Sequence, residues 1–127
     1  MIDIHSHILF GVDDGAKTIE ESINIIKEVI NKGVTHIILT PHYNNKYVKI
    51  DSSKVIQNYN VLKEQVTKEN LNINIFLGNE IFFDSNYYEI LEQGEFNTLA
   101  YSKYILIEFN VFDIPKNIAE MCYETNV

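Results

Sequence analysis

Two histidines stand two residues apart near the start of the chain, in Ile2-Asp3-Ile4-His5-Ser6-His7, and Asp13 and Asp14 follow just before Gly15. Further along come His42 in Thr40-Pro41-His42-Tyr43, Glu80 in Gly78-Asn79-Glu80-Ile81, and Glu108 in Leu106-Ile107-Glu108-Phe109. Imidazole and carboxylate together suit a divalent ion such as Zn²⁺, Mn²⁺ or Fe²⁺. Side chains two apart on a strand share a face, so His5 and His7 can grip one ion. The two oxygens of Glu80 could bridge a pair of ions. Adjacent divalent cations lower the pKa of a bound water, orient it, and stabilise the oxygens of an in-line phosphoryl displacement. That chemistry needs no covalent nucleophile. The single cysteine, Cys122, falls in an apparent amphipathic helix and reads as structural. All ten basic residues are lysines. A cysteine-dependent phosphatase loop, which needs an arginine to clamp phosphate, is therefore excluded.

These residues need a scaffold that gathers them, and the hydrophobic pattern supplies one. Residues 1–7 read as a strand with Ile2 and Ile4 on one face and Asp3, His5 and His7 on the other. After a loop, residues 18–33 carry helix punctuation: Thr18 and Glu21 form a capping box, and Gly33 is the stop. Ile19, Ile23, Ile26 and Ile30 recur between them at helical spacing. Residues 34–40 form a second strand ended by Pro41. A second helix near Ser52 to Glu69 presents Val55, Tyr59, Leu62 and Val66 on one face. Residues 73–78 are a third strand, residues 84–95 a short helix stopped by Gly94, and residues 103–109 a fourth strand. Residues 114–125 start a fourth helix, with Pro115 in its first turn.

The expected order is thus βαβαβαβα, which implies parallel strands with right-handed crossovers and strands buried on both faces. In such folds, sites collect at the C-terminal ends of the strands. A lone histidine at a strand end is more often structural. Here every expected strand delivers a candidate to one rim: His5 and His7, then His42, then Glu80, then Glu108. His36 lies at the opposite end of its strand and reads as structural. Asp3 reads equally as a polar core residue or as support for the site. The loop after His42 carries Lys46 and Lys49, which are either solvated or an attraction for an anionic substrate. The Asp13-Asp14 loop lacks the alternating acids and distal glutamate of an EF-hand.

Bulk properties narrow the function classes. A chain of 127 residues, 46% hydrophobic, is one domain or part of one. A net charge of -8 argues against nucleic acid or an anionic membrane as partner. One cysteine excludes an intramolecular disulfide and fits a reducing compartment. Neither a signal peptide nor an apolar run approaching the ~18 residues of a membrane span is evident, so direct membrane insertion is not expected. The expectation is a soluble, cytoplasmic protein.

The segments MIDIHSHILFGVDDGAKTIEES, TPHY, LGNEI and YILIEF together resemble the PHP (polymerase and histidinol phosphatase) family. The nearest branch is the bacterial manganese-dependent tyrosine-protein phosphatases of capsule and exopolysaccharide biosynthesis. The similarity runs across essentially the whole chain, and its opening segment is the specific part. The resemblance implies a distorted (β/α)₇ TIM-like barrel with a three-metal centre. Residues 1–127 would form a single partial PHP domain, the N-terminal half of the barrel, in four βα units. By motif position His5 and His7 would hold one ion, Glu80 would bridge it to a second, and His42 would join the same cluster. Asp14 would help hold a third ion, and Glu108 would act as an acid–base or positioning group. The implied metal is Mn²⁺. The implied substrate is phosphotyrosine on the tail of a membrane-associated tyrosine autokinase that controls polysaccharide export.

The same resemblance implies a second half that brings further histidine and aspartate ligands and phosphate-binding arginines. This sequence has neither, and half a barrel leaves strand edges unpaired. The expectation is a truncated reading frame or fragment, or a site completed by another chain, including a second copy in a homo-oligomer. A non-catalytic relic that binds metal or a kinase tail is one alternative, and histidinol phosphatase activity is another. The loop GVDDGAKTIEES favours the tyrosine phosphatase branch.

Overall fold

The computed structural model describes residues 1–93, 95–117 and 119–120. Its elements are β1 (Ile2–Asp3), α1 (Ile19–Asn31), β2 (His36–Leu39), α2 (Ser52–Lys68), β3 (Asn74–Leu77), β4 (Glu80–Phe82), α3 (Tyr87–Gln93), a 3₁₀ turn (Leu99–Tyr101) and β5 (Leu106–Glu108). The chain is a mixed α/β structure in which every strand pair is parallel. One sheet has the order β1-β2-β3, with Ile2 opposite His36 and His36 opposite Asn74. The other pairs β4 with β5, Glu80 opposite Leu106.

The helices form where their periodicity places them. Thr18 caps α1 by accepting from the Glu21 N–H at 3.2 Å. The return arm of the box reaches one residue further back than expected, to the N–H of Lys17. Gly33 follows with φ +90, a left-handed conformation that a Cβ disfavours, so the helix ends there. Ile23 and Ile26 are buried, and Ile19 and Ile30 pack partly buried against the same core. Asp51 caps α2 through the N–H groups of Ser53 and Lys54. All four residues of its expected face, Val55, Tyr59, Leu62 and Val66, are buried. They meet Ile37, Leu39, Ile75 and Leu77 of the sheet in one continuous core.

Two expectations are corrected. The third expected strand is present as β3, but it is followed at once by a further strand, β4, that was not expected. The break falls at Gly78-Asn79, opposite Pro41, which has no N–H to donate to the ladder. Gly78 N–H still donates to Leu39 O, and the Asn79 side chain donates to Pro41 O and accepts twice from Asn97. Beyond it, Glu80 N–H donates to Pro41 O, and Tyr43 N–H donates to Glu80 O. The chain thereby leaves β3 and starts the second sheet at Glu80. The first strand is also shorter than expected and is not buried on both faces. Ile2 and Ile4 are 65% and 55% exposed. Among the described residues β1 has a neighbour on one side only. Of the expected fourth helix, residues 118 and 121–125, Cys122 among them, lie outside the described residues, as does Gly94; among the described ones Pro115 is not helical and residues 119–120 are. None of the described helices is long and apolar enough to cross a membrane.

Candidate metal centre

The His-x-His segment is held by β2 rather than by a ladder of its own. Thr40 N–H donates to Ser6 O at 2.9 Å, and Ser6 Oγ donates to Ile38 O at 3.0 Å. The Thr40 hydroxyl oxygen lies 2.7 Å from His5 Nδ1, 3.0 Å from Ser6 N and 3.2 Å from Ser6 O. With its proton donated to Ser6 O, it accepts from Ser6 N–H and from His5 Nδ1–H. That arrangement leaves the lone pair of His5 on Nε2, the atom 3.6 Å from Glu80 Oε1.

His7 is fixed by a second device. The loop from Phe10 to Gly15 folds back so that Ala16 N–H donates to His7 O. Gly15 lies so close to His7 that an added Cβ would meet the His7 carbonyl and side chain. The close approach places Asp13 against the ring: Asp13 Oδ2 lies 3.0 Å from His7 Nδ1. The Asp13 side chain is fully buried and also accepts from the N–H groups of His42 and Gly15. Burial works against its charge, yet the His7 contact and the two N–H donors hold its carboxyl below the usual range. The other ring nitrogen, His7 Nε2, faces Glu80 Oε2 at 3.1 Å. Between Asp13 and Glu80, His7 is pushed up to about 10.

Glu80 is the hub. It is buried at the start of β4, and its carboxylate is surrounded by three imidazoles. His5 approaches Oε1, while His7 and His42 approach Oε2 at 3.1 and 3.2 Å. Burial opposes its ionisation, but His7 and the neighbouring imidazoles prevail and its pKa is lowered. His42 turns its Nε2 to Asp14 Oδ1 at 3.4 Å and its Nδ1 toward Glu108 Oε2 at 3.9 Å. Asp14 and Glu108 are 64% and 42% exposed and stand at the mouth of the cluster.

The structure thus brings together all six residues singled out from the sequence: His5, His7, Asp14, His42, Glu80 and Glu108. They form three overlapping groups: His7, Asp13, Asp14 and His42; His5, His7 and Glu80; and His42, Glu80 and Glu108. Within each group, one donor atom from every member lies within 4.8 Å of the others. A divalent cation fits this donor set. His42 Nδ1 and Glu80 Oε2 are buried and lie 3.2 Å apart with no hydrogen bond joining them. Such atoms are costly to leave bare, and both have lone pairs to give a cation.

His36 lies away from this rim, at the start of β2, against Thr35, Asn74 and the ring of Phe76. Asp3 accepts from the His5 N–H. Sequence reasoning assigned no role to Asp13 or to the Thr40 hydroxyl, the two groups that orient His7 and His5. Two adjacent aspartates give no local sign of which is buried. The tight packing of Gly15 on His7 decides it.

Comparison with known proteins shows what the chain is similar to. The family profile described as Capsular polysaccharide synthesis, CpsB/CapC matches residues 1–127. Tyrosine-protein phosphatase CpsB of Streptococcus agalactiae is 37% identical over 118 residues, 93% of this chain and 49% of that protein. Tyrosine-protein phosphatase YwqE of Bacillus subtilis (strain 168) is 33% identical over 124 residues, 98% of this chain and 49% of that protein. A solved structure from work on YwqE of Bacillus subtilis and CpsB of Streptococcus pneumoniae, described as metal-dependent tyrosine phosphatases, superposes with a TM-score of 0.85 at 33% identity. It covers 99% of this chain and 51% of that one. The chain therefore spans about half the length of the curated relatives it matches. On the match across all of its residues, the chain belongs to the CpsB/CapC family of capsular polysaccharide synthesis.

Proposed function

We propose that the chain is the metal-holding portion of a metal-dependent protein-tyrosine phosphatase acting in capsular polysaccharide synthesis. The observation that carries this reading is the Glu80 carboxylate, buried and enclosed by His5, His7 and His42. In this reading His5, His7 and Glu80 would hold one divalent ion, and Glu80 with His42 and Glu108 would hold another. Asp14 helps hold a third at the mouth. The bound cations supply an activated water and charge stabilisation for in-line attack on phosphorus. Asp13 and Thr40 engage the Nδ1 atoms of His7 and His5 and so aim their Nε2 atoms at Glu80. Glu108, at the open side of His42, positions the attacking water or handles its proton. The metal proposed is Mn²⁺, and the substrate is a phosphotyrosine protein, a membrane-associated tyrosine autokinase, met in the cytoplasm.

The two parallel sheets are read here as consecutive staves of a (β/α)₇ barrel, with residues 1–127 as one partial domain. The relatives are about twice as long. We therefore assign metal and phosphate binding to this chain, and full turnover to the closed barrel. The test is a calorimetric titration with Mn²⁺, followed by phosphate release from a phosphotyrosine peptide and from histidinol phosphate. Saturable Mn²⁺ binding that is weakened by Glu80→Gln is expected, with any phosphate release confined to the peptide. Absence of Mn²⁺ binding would reject the reading, and preference for histidinol phosphate would move the chain to another hydrolase branch.

A further inference from the structure

A pocket of about 210 Å³ opens beside the metal cluster, lined by Asp14, His42, Asn45, Lys46, Tyr47, Phe82 and Glu108. It is smaller than the roughly 300–1,000 Å³ of sites for drug-sized ligands, so it suits a single side-chain-sized group. Its lining divides by chemistry. Asp14, His42 and Glu108 belong to the metal cluster, Lys46 is the lining residue with a fixed positive charge, and Tyr47 and Phe82 are aromatic walls.

The wall is built, not loose. Asn44 is locked to β4 at both ends of its amide: Nδ2 donates to Phe82 O at 2.9 Å, and Oδ1 accepts from Phe82 N–H at 2.7 Å. Asn45 Oδ1 accepts from the N–H groups of Tyr47 and Val48 at 2.8 and 3.2 Å, which folds the loop back on itself. The two asparagines thereby fix the loop whose Lys46 and Tyr47 line the pocket together with Asp14, His42 and Glu108. Lys46 Nζ lies 5.8 Å from the centre of the Tyr47 ring, and that ring is 86% exposed. A large aromatic left in water beside a lysine and a metal site is poised for a flat anionic ligand.

We propose that this pocket receives the aryl group and phosphate of the substrate, with Tyr47 and Phe82 flanking the ring and Lys46 pairing with a phosphate oxygen. Selection of aryl over alkyl phosphomonoesters then rests on Tyr47, and it deepens the phosphatase reading on which it depends. Binding requires the cation, because Asp14 and Glu108 otherwise set two negative charges against the one of Lys46.

Non-hydrolysable phosphonates separate the contributions. Calorimetry of the Mn²⁺-loaded protein should show phenylphosphonate binding tighter than methylphosphonate by roughly three- to tenfold. Tyr47→Ala should abolish that preference while leaving methylphosphonate affinity unchanged, and Tyr47→Phe should retain it. Lys46→Gln should weaken both ligands by about threefold or more. Equal affinity of the wild type for the two phosphonates, or a preference that survives Tyr47→Ala, overturns the inference and leaves the phosphatase reading standing. Failure to bind inorganic phosphate or either phosphonate in the presence of bound Mn²⁺ overturns both.

Discussion

His7 shows how one ring can hold a proton where the proposed reading puts a metal ion. Its ring lies between Asp13 and Glu80 and holds its proton up to a pKa of about 10, against an ordinary value of 6.5. A group whose pKa is raised on folding stabilises the fold below its unfolded value and loses that contribution as pH climbs through the folded value. Without metal, the urea midpoint should fall as pH rises from about 6.5 toward 10. Mn²⁺ must displace the Nε2 proton, so its affinity should rise across the same interval; an affinity flat with pH would show that His7 is not a ligand. Asp13 keeps the other nitrogen protonated. Asp13→Asn should weaken Mn²⁺ by roughly 10–100-fold, measured by calorimetry, with helix content by circular dichroism retained. At this scale the His-x-His pair was legible in the sequence because a period of two is a local property. The division of labour between Asp13 and Asp14 was not, because it depends on a loop closing over a ring six residues back.

The elements position these residues with unequal legibility. The buried faces of α1 and α2 follow from spacing alone, since Val55, Tyr59, Leu62 and Val66 form one stripe and all are covered. Leu62 is fully buried, and Leu62→Ala should cost about 2–5 kcal/mol in urea unfolding. The split between β3 and β4 was hidden. The third strand was read as ending at Gly78, and Glu80–Phe82 is too short a stretch to announce a strand of its own; the break between them is fixed by Pro41 and Asn97, which are remote in sequence. The loop between β1 and α1 is the most demanding element, because Gly15 packs directly on His7. Gly15→Ala should push that loop away, withdraw Asp13, and lower Mn²⁺ affinity by about tenfold or more while α1 and α2 stay folded. Calorimetry and circular dichroism on the same sample would distinguish this outcome from general unfolding.

Taken whole, the molecule ties its metal cluster to segments that no short stretch of chain contains. A cation bound only by the native state should raise the thermal midpoint, by about 2.7 kcal/mol of added stability at a hundredfold excess over Kd, and a chelator should reverse it. The parallel sheet order was foreseeable from alternating strands and helices, and the exposure of Ile2 and Ile4 was not, because it turns on what lies beside β1. The sequence distances have a further consequence. Ser6 and Thr40 are 34 residues apart, and Pro41 and Asn79 are 38. Contacts of such span form late, since the entropy of closing the intervening chain comes first. The candidate ligands His5, His42 and Glu80 come together only when these long-range contacts close. On the proposed reading, a newly made chain would meet an ion only once it has folded, and metal supply would govern how much of the folded pool is loaded rather than how quickly that pool is made.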